Sequence, residues 1–168
     1  MWSAATVLMC ALSVLGRDVR TFPPIEFVDT LPPHFSRNTE AFTRSTSNVI
    51  YLVTSSEAFE RARRTPGQCE DPAAVAKIAS MIVHEEWHLR HDPADESGAY
   101  DAQLQVLMRL GIGPGNRTYD GVWRSMQAVL RARQLAARQP LLRDAHLTQP
   151  SRRVPASTPP SAQRNPEP

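Results

Sequence analysis

"IVHEEWHLRHDPADESGAYDAQ", residues 82–103, packs three histidines and six carboxylates into twenty-two positions. A helix bearing HEEWH, a break at Asp92-Pro93 and a second helix bearing Glu96 together describe a hairpin with a polar interior. His84 and His88 are four residues apart, so on a helix both imidazoles project from one face and can share a metal at about 2.0–2.1 Å from each nitrogen. Glu85 sits roughly 100° round from His84. There it can reach a metal-bound water without being a ligand, which is the position a general base needs. Zinc would lower the pKa of that water to about 7 and polarise a peptide carbonyl, and Glu85 would pass the water's proton to the leaving amine.

Two histidines leave zinc short of a protein ligand. His91 lies on the same stripe, but a straight helix rises about 10 Å from His84 to His91, too far for one ion. It could bind only if the helix ended first. Glu96 lies in the first turn of the next helix, about as far beyond the break as His88 is before it. In an antiparallel hairpin, with helices about 8–10 Å apart, those two side chains meet. Asp92, Asp95 and His91 are the alternatives, and any of these acids could instead serve the dipole of the second helix. Tyr100 is one turn beyond Glu96, where its hydroxyl could stabilise a tetrahedral intermediate. Gln103 could orient Glu96. Trp87 is expected to pack, and Glu86 to be a solvated acid.

Working outward, Asp71-Pro72 is an N-cap and first-turn pair for the helix that reaches the motif, with Val75, Ile78, Ala79, Ile82 and Val83 as its apolar stripe. The second helix is expected from near Asp92-Pro93 through Leu104, Leu107 and Leu110 to a stop at Gly111. A third is expected from about Thr118, with Tyr119, Val122, Trp123, Met126 and Leu130 on one face. Upstream, "PPIEFVD" (residues 23–29) and "NVIYLVTS" (residues 48–55) have strand character, and Ser55 or Ser56 can cap a short helix through "EAFERARR". The pattern is α+β and mostly helical, with a small N-terminal sheet.

HEEWH followed by "ESGAYDAQ", that is E-x-x-A-Y-x-x-Q, resembles the small gluzincin-like zinc metallopeptidases. The resemblance covers about residues 23–110. It implies a minimal zincin-like domain, one Zn2+ per chain held by His84, His88 and Glu96, and hydrolysis of a peptide or protein substrate. It also implies that one of the two upstream strands is an edge able to pair with an extended peptide. The seven-residue gap between His88 and Glu96 is shorter than the excursion in larger gluzincins. The metzincin pattern is excluded, because it needs Gly at position 91 and His at position 94, where this chain has His91 and Ala94.

The ends differ in character. Residues 1–16, "MWSAATVLMCALSVLG", are uncharged and mostly apolar, too short for a comfortable membrane span of about 20 residues and of suitable length for a secretory signal. Residues 1–21 are therefore expected to be a signal peptide, with an uncleaved membrane anchor and a buried helix as alternatives. Cleavage would remove Cys10 and leave Cys69 alone, without an internal disulfide. Residues 140–168 hold seven of the fifteen prolines and are expected to be a disordered tail, leaving a domain at 22–139. Of the 19 basic residues 18 are Arg, spread along the chain without aromatic interleaving, so nucleic acid is not an expected partner. The alternative to an enzyme is a binding or structural module in which zinc only staples the hairpin.

Overall fold

The structure is a computed structural model that describes residues 1–33, 35–44 and 46–147. His34 and residues 148–168 of the expected tail lie outside the described residues, and so does the His146 side chain. The chain divides into two units, Met1–Arg133 and Gln134–Pro168.

In the first unit α1 (Ala4–Val14) leads through a 3-10 turn (Val19–Thr21) into β1 (Ile25–Val28), β2 (Ala41–Thr43) and β3 (Ile50–Val53). Then follow α2 (Glu57–Arg64), α3 (Pro72–Arg90), α4 (Glu96–Arg109) and the start of α5 (Arg117–Leu147). This is the mostly helical α+β fold that the sequence leads one to expect.

The helix boundaries have local causes. Asp71 caps α3 by accepting from the Ala74 N–H at 2.8 Å, with Pro72 in the first turn. Gly111 follows the last residues of α4 at φ +79°, a left-handed conformation that stops a helix. The second helix starts later than Asp92-Pro93: Asp92 instead makes a turn, and Asp95 caps α4 by accepting from the Gly98 N–H at 3.0 Å. α5 continues through Pro140 to Leu147, past the expected start of the tail, in a stretch rich in Ala, Leu, Arg and Gln, all good helix formers.

α3 is the axis of the unit. It is buried on almost every side, so it carries no single apolar stripe. On one side Ile78 and Ile82 pack with Leu12 of α1, Ile50 and Leu52 of β3 and Phe59 of α2. On the other, Ala76 meets Leu104 and Leu107 of α4 and Val122 and Met126 of α5. Two cores thus clamp the helix that bears the motif.

The sheet has the order β1-β3-β2. β1 runs parallel to β3, with Ile25 opposite Ile50, and β2 runs antiparallel, with Phe42 opposite Tyr51. β2 is too short to announce itself in the sequence. The Val53 N–H donates to the Glu40 carbonyl at 3.0 Å, so by antiparallel alternation the backbone groups of Ala41 and Thr43 face away from β3. Glu40, just before β2, pairs with Lys77 of α3.

With residues 1–16 retained, the N-terminal segment takes the form of the buried helix named among the alternatives. Val7, Cys10, Ala11 and Leu12 are buried in the same unit as the rest of the domain, and Cys10 is disulfide-bonded to Cys69 with a Cα–Cα distance of 5.6 Å. In the chain that keeps residues 1–16, Cys69 therefore has a partner. Eleven residues make three turns of helix, and packing against α2 and α3 covers their apolar side. Among the described residues no helix is long and apolar enough to cross a membrane.

Candidate metal centre

His84 and His88 face one another across one turn of α3, Nε2 to Nε2 at 3.2 Å, with their rings nearly perpendicular. Glu96, on the first residue of α4, brings Oε2 to 3.6 Å from His84 Nε2 and Oε1 to 3.8 Å from His88 Nε2. All three donor atoms fall within 4.8 Å of one another. Tetrahedral zinc bound at about 2.0–2.2 Å needs donors about 3.3–3.6 Å apart, so the cluster fits such an ion. Its chemistry fits too, since two imidazoles and a carboxylate are zinc's ordinary nitrogen and oxygen ligands. The cluster is the sequence-derived ligand set, and it is a possible site for a metal whose identity the geometry leaves open.

The competing residues are held elsewhere. α3 ends at Arg90, so His91 is free of the helix, but its ring stacks on Trp87 at 3.9 Å between centroids and its Nδ1 meets the Trp87 carbonyl. Asp92 accepts from the Ala94 N–H, and Asp95 accepts from Trp87 Nε1 at 3.2 Å as well as capping α4. Gln103 does not reach Glu96: it is buried and donates to Ser80 Oγ at 3.4 Å, tying α4 to α3.

The α3–α4 turn owes its closeness to Gly98. A Cβ there would stand 2.6 Å from the Trp87 ring, so only glycine lets the first turn of α4 lie against α3. The glycine of E-x-G-A-Y thereby sets how near Glu96 comes to the histidines.

Glu85 is buried beside the cluster. Burial, reinforced by Glu96 and opposed by His84 and Thr43, pushes its carboxyl from the usual 4.5 up to about 7. Thr43 acts on it through both its backbone N–H and its hydroxyl, so the open edge of β2 borders the site. Glu96 is held below the usual carboxylate range, first by the His84 ring, with His88 and Arg133 adding to it against burial. Burial lowers the His88 pKa, with His84 adding to it, which favours the neutral ring that binds metal. The Nδ1 atoms of both histidines are buried without a partner in good hydrogen-bond geometry, although the Asp92 backbone stands near enough to His88 to favour its charged form. Tyr100 is half-buried, its ring 4.6 Å from that of His84, and burial raises its pKa, helped by Glu96 and Glu85.

Glu86 is not a solvated acid. It is 4% exposed and gripped by Arg17, whose Nη1 and Nη2 donate to its two oxygens at 2.6 and 2.8 Å, and by Arg90 at 2.6 Å. Arg17 lies just beyond α1 and also covers the Phe22 ring. Sequence reasoning missed Thr43, Arg17 and Arg133. Each acts from a distant segment, and no local spacing marks it.

No family model, curated protein or solved structure matches this chain.

Proposed function

We propose that the protein is a zinc-dependent peptidase of gluzincin-like type, with His84, His88 and Glu96 as ligands. The observation that carries this reading is the pairing of a three-donor cluster with a buried carboxylate that is not one of the donors. Zinc held there supplies Lewis acidity, lowering the pKa of a water to about 7 and polarising a scissile carbonyl. Glu85 takes the proton of the attacking water at its carboxylate and returns it to the nitrogen of the leaving amine, a role open to it because it is buried beside the cluster without being one of its donors. The Tyr100 hydroxyl donates to the developing oxyanion. Apolar packing of α3 on both sides keeps these groups in fixed register. The substrate is a peptide or protein.

The Cys10–Cys69 disulfide supports an oxidising, exported location for the folded protein. α1 belongs to that folded form.

The test is Glu85→Gln. It should keep stoichiometric zinc and lose about 10²–10⁴-fold in hydrolysis of an unfolded-protein substrate. A second reading has zinc as a staple of the α3–α4 hairpin, favoured by the fact that all three donors lie on those two helices. Wild type that binds zinc tightly and cleaves no member of a broad peptide library decides for the staple.

A further inference from the structure

The turn between α3 and α4 is held from a third element. Arg133, on α5, donates from Nη2 to Glu96 Oε1 at 3.3 Å and from Nη1 to the Ala94 carbonyl. One guanidinium fork therefore grips both the backbone leading into α4 and the side chain of the third donor. Glu96 itself turns both oxygens toward the imidazoles, Oε2 at 3.6 Å from His84 and Oε1 at 3.8 Å from His88. A carboxylate so placed can bind a cation through one oxygen or chelate it through both.

We infer that Arg133 is the positioning residue of the third ligand: by engaging Oε1 and fixing the Ala94 carbonyl, it keeps Glu96 a one-oxygen donor through Oε2. The inference rests on the cluster being a metal centre. The chemistry of the fork supports it, because a planar guanidinium fixes two acceptors at once and a lysine ammonium is only a point charge. A lone surface ion pair contributes little. This one differs in that its acid partner is a donor of the cluster and its second acceptor is the turn that carries that donor. The functional consequence is an open position. Chelation by both Glu96 oxygens would fill the coordination site that a catalytic zinc keeps for substrate, whereas one-oxygen binding leaves it free.

The experiment compares full-length wild type with Arg133→Met, Arg133→Lys and, as a control on the same helix, Arg131→Met. Zinc affinity is measured by competition with a chromogenic chelator, and coordination number by the visible absorption of the cobalt(II)-loaded proteins. Arg133→Met should bind zinc about tenfold more weakly, as expected for loss of an outer-shell partner, and should show weaker cobalt absorption as coordination expands. Arg133→Lys should recover part of the affinity through its charge without restoring the spectrum, and Arg131→Met should match wild type. Unchanged affinity and spectrum in Arg133→Met overturn the inference and leave the metal centre standing. A loss of affinity with the wild-type spectrum also overturns it, because Glu96 would then keep its binding mode unaided. Wild type that takes up neither ion overturns the centre itself, and this inference with it.

Discussion

Glu85 and Glu86 are consecutive on α3 and both are buried, yet Glu86 meets two guanidinium groups while Glu85, among the described residues, meets none. The helix turns one acid toward Arg17 and Arg90 and the other toward the histidines. Burial without a guanidinium partner raises the Glu85 pKa, against the weaker pull of His84, and the folded state gains or loses stability with pH accordingly.

An acid whose folded pKa lies above its unfolded one binds its proton more tightly when folded. Stability falls as pH rises from the unfolded value near 4.5 to the folded value of about 7. Metal-stripped wild type should therefore lose on the order of 3 kcal/mol relative to Glu85→Gln between pH 4.5 and pH 7.5. Denaturant melts of the two proteins in chelator measure it. Parallel stability curves would place the Glu85 carboxyl in its ordinary range.

Glu96→Ala should cost more zinc affinity than the roughly 10–100-fold typical of losing an outer-shell partner, since it removes a donor itself. His91→Ala should leave affinity near wild type, because its ring is committed to Trp87. Isothermal titration with zinc separates them, and the reverse ranking would show that the wrong residue has been assigned as third ligand.

Gly98→Ala tests the close approach of the two helices. An exposed helical glycine gains about 1 kcal/mol on becoming alanine, but here the new methyl meets the Trp87 ring, and overpacking of this kind costs about 1–3 kcal/mol. The variant should be less stable than wild type and should bind zinc more weakly, because α4 must move Glu96 outward. A stabilised variant with wild-type affinity contradicts this account.

The disulfide spans 59 residues of sequence, and a loop of that size contributes about 4 kcal/mol by restricting the unfolded chain. Cys10→Ser/Cys69→Ser should lower the denaturation midpoint accordingly. Non-reducing peptide maps of the exported protein should contain a crosslinked peptide joining Cys10 to Cys69. A mature chain beginning near Arg17 with one free thiol would contradict the retention of α1.

What the sequence determined by itself was whatever depends on spacing along one element. The period of α3 puts His84 and His88 on one face with Glu85 beside them, Asp71-Pro72 marks where that helix starts, and Gly111 marks where α4 stops. Glu96 was legible for nearly the same reason, because a short hairpin leaves few places for the next carboxylate to go. The tertiary structure alone decided contacts between segments far apart in the chain: Arg133 on Glu96, Arg17 on Glu86, Thr43 against Glu85 and Cys10 on Cys69. It also shows the apolar N-terminal run packed as a helix on α3, a contact that composition does not mark, since such a run reads the same whether it meets a membrane, a processing enzyme or the flank of a helix. Periodicity is a property of neighbours in sequence, whereas the fate of an apolar or charged side chain is set by which distant surface the fold brings to it.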